Sequence, residues 1–167
     1  FLDDIPLAWR TTVDGIREAL APFGVADYDT QRRAAQIRAK VRWLGGPAIE
    51  PGTMLVLGQL PTDAAMIDPA RGRRVGWSDY LDELTALRRS GPVLWRPHPY
   101  DPEAGVRADL LGEGARTTEN FYRLLALDDL AGVAALSSGG VVEARAFGKR
   151  GVHFLDRTAG IELPGWG

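Results

Sequence analysis

The sequence predicts an α/β domain, a Rossmann-like layered fold with a mostly parallel sheet that is preceded by two helices. Short, continuous apolar runs recur along the chain, as expected for parallel strands that are buried on both faces. Segments with apolar residues at helical spacing separate these runs. An alternation of strands and helices is typical of layered α/β domains, whose crossover connections we expect to be right-handed.

Two helices are predicted before the first strand. Residues 7–20 have apolar side chains at helical spacing, and a proline and a glycine end this segment. Asp29 and Thr30 can cap a second helix that extends to about Leu44 and has one apolar face. The Gly-Gly-Pro sequence that follows ends this helix.

The rest of the chain alternates strands with helices. Four strands are predicted, over residues 53–57, 93–95, 132–136 and 152–155. Three helices are predicted between them, over residues 78–89, 119–127 and 140–147. The first of these helices has Ser78 as its predicted cap, acidic residues in its early turns and Arg88 and Arg89 at its end, which complements the helix dipole.

Length and charge set limits on organisation and partners. A chain of 167 residues suits one domain. We assign residues 1–50 to an N-terminal helical segment, which either belongs to this domain or connects it to a neighbour, and residues 51–167 to the layered domain. The Pro- and Gly-rich tail, residues 160–167, is interpreted as a surface excursion or a link to further sequence.

The net charge of −2 creates no global field that attracts nucleic acid, so we expect no such partner.

The absence of cysteine excludes a disulfide framework, a thiolate zinc site and a cysteine nucleophile. It also fits a reducing cytoplasm. We expect no membrane span, because no apolar run approaches the roughly 20 residues that a transmembrane helix needs. The chain begins with Phe1 and not with Met, so we expect it to be part of a longer protein.

The loops that leave the strands are the places to search for a ligand, because ligands of open parallel sheets bind beyond the carboxyl ends of the strands. The first such loop runs over residues 58–63. Gly58 lets the backbone approach a ligand closely, and Gln59 and Asp63 supply hydrogen-bonding groups. The alternative interpretation is a simple polar turn.

The second loop follows the predicted strand at 93–95 and reads Arg96-Pro97-His98-Pro99. The two prolines stiffen the backbone on either side of His98. A histidine held in this way can donate a hydrogen bond to a phosphate oxygen, and Arg96 can add charge-assisted bonds. The alternative is a structural histidine, which is the role that we predict for His153 in its apolar strand.

The third loop follows the strand at 132–136 and contains Ser137, Ser138, Gly139 and, on the next helix, Glu143. Hydroxyl groups and glycines between a strand and a helix predict an anion site. Glu143 can accept the two hydroxyls of a ribose. The alternatives are that Ser138 only caps the helix and that Glu143 only complements the helix dipole.

Several other sites are excluded. The sequence has no P-loop, no dinucleotide-binding Gly-x-Gly-x-x-Gly and no Gly-x-Ser-x-Gly nucleophile elbow. The Asp128-Asp129 pair is not the spaced acidic pair of metal-dependent sugar transferases, and we interpret it as a helix-capping and solvent-exposed pair.

Taken in order, the three loops resemble the capsule polysaccharide biosynthesis family, which contains the bacterial Kdo transferases. The pattern is Gly-Gln-x-x-x-Asp, then Arg-Pro-His-Pro, then Ser-Ser followed by Glu-Ala and Gly-Lys, over residues 53–155. The resemblance implies a GT-B glycosyltransferase of two Rossmann-like domains, of which this chain is the C-terminal, nucleotide-sugar-binding one. It also implies a role in capsular or surface polysaccharide synthesis.

The same resemblance implies that the donor is CMP-Kdo and that transfer needs neither a metal ion nor a cofactor. His98 would contact the CMP phosphate and assist the leaving group, Ser137 and Ser138 would hold phosphate oxygens, and Glu143 would bind the ribose. Gln59 and Asp63 would lie near the donor sugar or at the cleft. The full predicted donor-binding set is Gln59, Asp63, Arg96, His98, Pro99, Ser137, Ser138, Gly139 and Glu143, with His98 as the catalytic residue.

The implied partners are the nucleotide-sugar donor, a glycan or glycolipid acceptor, and an N-terminal domain of the same protein. That domain carries the catalytic carboxylate in such enzymes, so we do not expect transfer by this chain alone. The expected location is the cytoplasm, including the inner face of the inner membrane. Two alternatives stay open: a polyol-phosphate transferase of the teichoic-acid type, and a non-catalytic sugar-nucleotide-binding module of a polysaccharide assembly complex.

Overall fold

The computed structural model of the chain describes residues 25–101 and 116–155, so the predicted helix over residues 7–20 and the tail at 160–167 lie outside the described residues. Four parallel strands form the main sheet: β1 (Thr53–Leu57), β4 (Val93–Arg96), β5 (Leu130–Ala135) and β6 (Arg150–His153). Two short antiparallel strands, β2 (Ile67–Asp68) and β3 (Arg73–Arg74), form a separate hairpin. The described helices are α1 (Val25–Leu44), α2 (Leu81–Ser90), α3 (Phe121–Leu125) and α4 (Gly140–Ala146). The predicted α/β, Rossmann-like layout is confirmed.

The strand order β4-β1-β5-β6 determines where a crevice forms. From β1 the chain crosses to β4 on one side, and it later returns past β1 to β5 on the other side. The order therefore reverses between β1 and β5. In doubly wound sheets, such a switch point opens a crevice at the carboxyl ends of the strands.

Strand β1 lies at the centre of the sheet, and all five of its residues are buried because both of its faces are covered. Leu55 and Leu57 pack into a cluster with residues of α1, α3 and α4. Met54 and Val56 face the opposite side, where α2 contributes Leu84 and Leu87. This alternation explains the continuous apolar run in the sequence.

Helix α1 begins at Val25, so the prediction that Asp29 and Thr30 cap it was wrong. Both residues lie inside the helix, because no glycine or proline interrupts the chain between Gly24 and Gly45. Ala34 and Val41 are buried in the cluster that covers β1. The division of the chain at residue 50 stays a prediction.

Helix α2 begins at Leu81, so Ser78 does not cap it as predicted. Ser78 lies in a 3-10 turn, Trp77–Asp79. Asp79 explains the difference, because its carboxylate accepts hydrogen bonds from the amide of Gly76 and the guanidinium of Arg73. These contacts hold the turn separate from the α-helix that follows it.

The remaining predicted elements are present with shifted ends. Helix α3 begins two residues later than predicted, because the side chain of Asn120 accepts hydrogen bonds from the amides of Tyr122 and Arg123 and so caps the helix, and it ends two residues earlier, at Leu125. Strand β6 begins two residues earlier than predicted and ends at His153, although Phe154 and Leu155 still donate backbone hydrogen bonds to β5 and the residue after it.

A third apolar cluster lies beyond the carboxyl ends of β5 and β6. Its buried members are Met66, Val75, Tyr80, Leu136 and Leu155. The first three come from the segment between β1 and α2, which this cluster fixes onto the carboxyl edge of the sheet. The loop after β1 is thereby held close to the loop after β5. Among the described helices, none is both long enough and apolar enough to cross a membrane.

Candidate functional site

The three loops singled out in the sequence leave β4, β1 and β5, which are neighbours in the sheet. All three loops therefore lie along one edge, on both sides of the switch point between β1 and β5. The loop after β1 contacts each of the other two directly, through Gly58 on one side and Gln59 on the other.

Gly58 packs against the backbone of the loop after β4. Its amide donates to the carbonyl of Arg96 at 2.8 Å. A Cβ atom at Gly58 would lie 2.7 Å from the amide nitrogen of His98 and 3.0 Å from Cα of Pro97. We expected Gly58 to let the backbone approach a ligand, but in the structure it lets the backbone approach the loop after β4. The absence of a side chain at Gly58 allows the backbone of Pro97 and His98 to pack directly against the end of β1.

Gln59 bridges to the loop after β5 through both ends of its amide group. Its Nε2 donates to Oγ of Ser137 at 2.9 Å, and its Oε1 accepts from the amide of Ser137 at 2.6 Å. The two residues are 78 positions apart in the chain. The structure therefore brings together two residues that the sequence placed on separate loops.

Asp63 caps the short 3-10 helix Ala64–Met66, and its Oδ1 accepts from the amide of Ala65 at 2.8 Å. The side chain is half-buried at the end of the loop. Its second carboxylate oxygen has no hydrogen-bond partner among residues 25–101 and 116–155. The predicted role of Asp63 at the donor sugar stays a prediction.

His98 is held in one tautomer by the backbone of its own turn. The amide of Tyr100 donates to Nδ1 of His98 at 3.2 Å, and the amide of Asp101 donates to the carbonyl of His98 at 3.0 Å. Because Nδ1 accepts, the proton of the neutral ring lies on Nε2. The imidazole is half-exposed, so Nε2–H is positioned as a hydrogen-bond donor.

Arg96 and Pro99 complete the second loop. Nε of Arg96 donates to the carbonyl of Glu119 at 2.9 Å, and burial lowers the pKa of this guanidinium. Arginine nevertheless stays charged at neutral pH. Arg96 therefore fixes the loop to the segment before α3. Pro97 is buried and Pro99 is exposed at the edge.

Ser138 and Gly139 form the turn between β5 and α4. Oγ of Ser138 accepts from the amide of Gly140 at 3.2 Å, and its hydroxyl proton remains available to donate. The N-cap of α4 is Gly139, which makes no side-chain capping bond, so Ser138 is not the N-cap that the sequence offered as an alternative. Gly139 has helical dihedral angles, φ −58° and ψ −22°. Within the described part of the chain, the amides of Ser138 and Gly139 have no hydrogen-bond acceptor.

Glu143 lies on the first turn of α4 and is half-exposed. The hydroxyl of Tyr122, from α3, donates to Oε2 of Glu143 at 2.8 Å. This contact fixes the carboxylate and leaves Oε1 available, the acceptor that a pair of ribose hydroxyls requires. Tyr122 was not singled out from the sequence, because a residue on another helix gives no local signal.

His153 has a structural contact, as we predicted, but at a different place in the strand. We expected it inside an apolar strand, whereas it is the last residue of β6 and is exposed. Its Nε2 lies 2.9 Å from the carbonyl oxygen of Ser138, so this nitrogen carries a proton and donates. His153 therefore supports the Ser138 turn from the neighbouring strand.

Lys149, the last residue of the third motif, lies at the opposite edge of the sheet. Its Nζ donates to the carbonyl of Leu127 at 2.6 Å, just before β5, and burial lowers its pKa. Its role here is to satisfy backbone carbonyls.

Asp128 is exposed and lies 3.4 Å from the guanidinium of Arg42, which matches its predicted solvent-exposed position. In residues 25–101 and 116–155, no group of three or more His, Cys, Asp or Glu side chains is placed to hold a metal ion.

Comparisons with known proteins find a similar solved structure but no matching family. No protein-family model matches the chain, and no curated protein matches it in sequence. Among solved structures, the beta Kdo 2,7 transferase KpsC of Thermosulfurimonas dismutans is similar, with 21% sequence identity and a TM-score of 0.42. The alignment covers 72% of this chain and 39% of that chain, so this chain spans less than half of the enzyme's length.

Proposed function

We propose that this chain is the donor-binding domain of a glycosyltransferase in capsular or surface polysaccharide synthesis, and that its donor is a CMP-activated sugar acid such as CMP-Kdo. The enzyme would be of the GT-B type and would work without a metal ion. This chain would supply one of its two Rossmann-like domains. The acceptor and the catalytic carboxylate would be bound by the other domain.

One observation carries the proposal: the three loops that resemble the capsule family meet at the switch point of the sheet. Gly58 packs against the His98 turn, and Gln59 pairs with Ser137. Each loop alone is a common kind of polar turn. Their contact at the edge where α/β domains bind ligands supports a single site that all three share.

His98 is suited to assist departure of the nucleotide. As the bond between the sugar carbon and the phosphate oxygen breaks, its electron pair stays on that oxygen, and negative charge grows on the phosphate. A neutral imidazole with its proton on Nε2 can donate a hydrogen bond to this oxygen. Because the amide of Tyr100 holds the imidazole in place in advance, the Nε2–H group needs no reorientation during the reaction.

The turn after β5 supplies the other polar groups. The hydroxyl of Ser138 and the amides of Ser138 and Gly139 can donate to the remaining phosphate oxygens. Glu143 can accept from the ribose hydroxyls, in the orientation that Tyr122 sets. The site then matches one phosphate and one ribose, which are the recognition groups of a nucleoside monophosphate.

Two variants of His98 test this assignment. His98→Asn retains an acceptor for the amide of Tyr100 but removes the Nε2 donor, whereas His98→Gln places an amide donor near the Nε2 position. We expect the Asn variant to bind CMP about 1–3 kcal/mol more weakly, the scale for a phosphate that loses a hydrogen-bond donor. The Gln variant should retain most of the affinity, and cytidine should bind both variants equally well.

Isothermal titration calorimetry with CMP and cytidine measures these affinities. Equal CMP affinity in wild-type protein and the Asn variant would remove His98 from the site. In the full-length protein, CMP binding without sugar transfer to any acceptor would favour the non-catalytic module. Release of CMP with transfer of a polyol phosphate would favour the teichoic-acid type of enzyme.

A further inference from the structure

Gln59 joins two loops of the site by a paired contact that uses both the donor and the acceptor of its amide group. Nε2 donates to Oγ of Ser137, and Oε1 accepts from the amide of the same residue. A two-point contact of this kind fixes both the position and the orientation of the partner. Gln59 is half-buried, so solvent competes only partly for these bonds.

The hydroxyl of Ser137 makes both of its contacts with side chains of the protein. It accepts from Gln59, and its own proton points towards Sδ of Met66 at 3.8 Å. Met66 is almost fully buried in the third apolar cluster. Ser137 therefore faces the protein side of the loop, whereas the hydroxyl proton of the next residue, Ser138, has no such partner among the described residues.

We infer that Gln59 is a positioning residue that acts on a bound donor through Ser137 and does not touch the donor itself. Gln59 and Ser137 form a support that fixes the exit of β5, and Ser138 with the amides of Ser138 and Gly139 makes the contact with phosphate. The inference rests on the proposed function and revises two expectations: that Gln59 lies against the donor sugar, and that Ser137 holds phosphate oxygens. It leaves the role of His98 unchanged.

A double-mutant cycle separates the two roles, because residues that act as one unit are not additive. We expect Gln59→Ala to raise the Kd for CMP about tenfold, since two uncharged hydrogen bonds that order the site are lost. Ser137→Ala removes only the hydroxyl contact and should raise the Kd about threefold. The double variant should lose no more than about tenfold. Gln36→Ala, an exposed glutamine on α1, is the matched control and should bind as wild type.

Cytidine and hydrogen exchange give readouts that a general loss of stability would not produce. The positioning role predicts that Gln59→Ala weakens CMP binding and leaves cytidine binding within about twofold, because only the phosphate contacts depend on the Ser137 support. It also predicts that the amide of Ser137, protected by Oε1 of Gln59, exchanges faster in Gln59→Ala. Gln59→Glu retains that acceptor, so it should keep the protection and still fold if Gln59→Ala does not.

The outcomes are distinct. Additive losses in the double variant would overturn the inference in favour of direct contact between Gln59 and CMP, and equal losses for CMP and cytidine would overturn it in favour of a general disturbance of the site. Unchanged CMP affinity in Gln59→Ala would overturn it in favour of contact between Gln59 and the donor sugar, which CMP lacks. Unchanged exchange of the Ser137 amide in Gln59→Ala would overturn it as well. If the wild-type protein binds no nucleotide, the proposed function fails, whereas the exchange of the Ser137 amide still reports whether Gln59 holds this loop.

Discussion

Replacing Gly58 with alanine would place a methyl group between the loop after β1 and the backbone of the His98 turn. Cβ would lie 2.7 Å from the amide nitrogen of His98, about 0.7 Å short of the 3.4 Å at which ordinary contact begins. The atoms that it meets belong to the backbone of Pro97 and His98, so no side-chain rotation can relieve the overlap. The φ angle of Gly58 is not in the left-handed region, so the cost is steric.

Overpacking of this kind costs about 1–3 kcal/mol. For a chain of this size, each kcal/mol lowers the melting temperature by roughly 2–4 °C, so we expect a fall of roughly 4–8 °C for a cost of about 2 kcal/mol. Because relief requires the two loops to separate, His98 should move and CMP affinity should fall together with stability.

Thermal unfolding followed by circular dichroism, with CMP titration of the folded protein, measures both effects. Gly76→Ala is the matched control, because its φ of −142° suits any residue and the nearest atom to its Cβ would be 4.0 Å away. It should change neither property. A Gly58→Ala variant that melts and binds CMP as the wild type does would refute the packing of these two loops as described.

Three further predictions concern the supports of the site. Tyr122→Phe removes the hydrogen bond to Glu143 and should weaken cytidine binding about threefold in calorimetry, whereas free phosphate should bind unchanged. Lys149→Met removes the donor to the carbonyl of Leu127 and should lower the free energy of unfolding by about 1 kcal/mol in urea titrations, with CMP affinity unaltered because Lys149 lies at the opposite edge. Asp79 has a pKa below its ordinary value because of its hydrogen bond from Arg73. Its contribution to stability is therefore fully present above the unfolded pKa of about 3.9 and is lost as the pH falls on through the lower pKa of the folded state. Asp79→Asn should thus be less stable than wild type at pH 7, and this difference in the free energy of unfolding should shrink in acid.

The sequence predicted the elements of the sheet well because its strands are buried on both faces. After Thr53, the run at residues 53–57 is apolar throughout, and all five of its residues are buried. This pattern suits a strand covered on both faces. Helix starts were predicted less well, because they depend on contacts from elsewhere. Asp79 would be a reasonable first-turn residue, but Arg73 and the amide of Gly76 recruit it into a separate turn.

The candidate loops were predictable as a class, since ligand sites of parallel sheets lie after the strands. The strand order was not, and it is the order β4-β1-β5-β6 that makes these three loops neighbours. Contacts between distant residues were also hidden. Neither the pairing of Gln59 with Ser137 nor the support of Ser138 by His153 leaves a pattern in the local sequence. The position of Gly58 just after β1 likewise did not reveal that its backbone packs against another loop.

The most direct test of a shared nucleotide site is a titration of the protein with CMP, UMP, ADP and inorganic phosphate, followed through amide NMR shifts. We predict selective binding of CMP, with shifts concentrated at residues 58–63, at His98 and at residues 137–143, and none at Lys149 on the opposite edge. Selective binding of another nucleotide at these loops would retain the site and change the donor. Shifts elsewhere, or no nucleotide binding even by the full-length protein, would exclude a nucleotide site formed by these three loops.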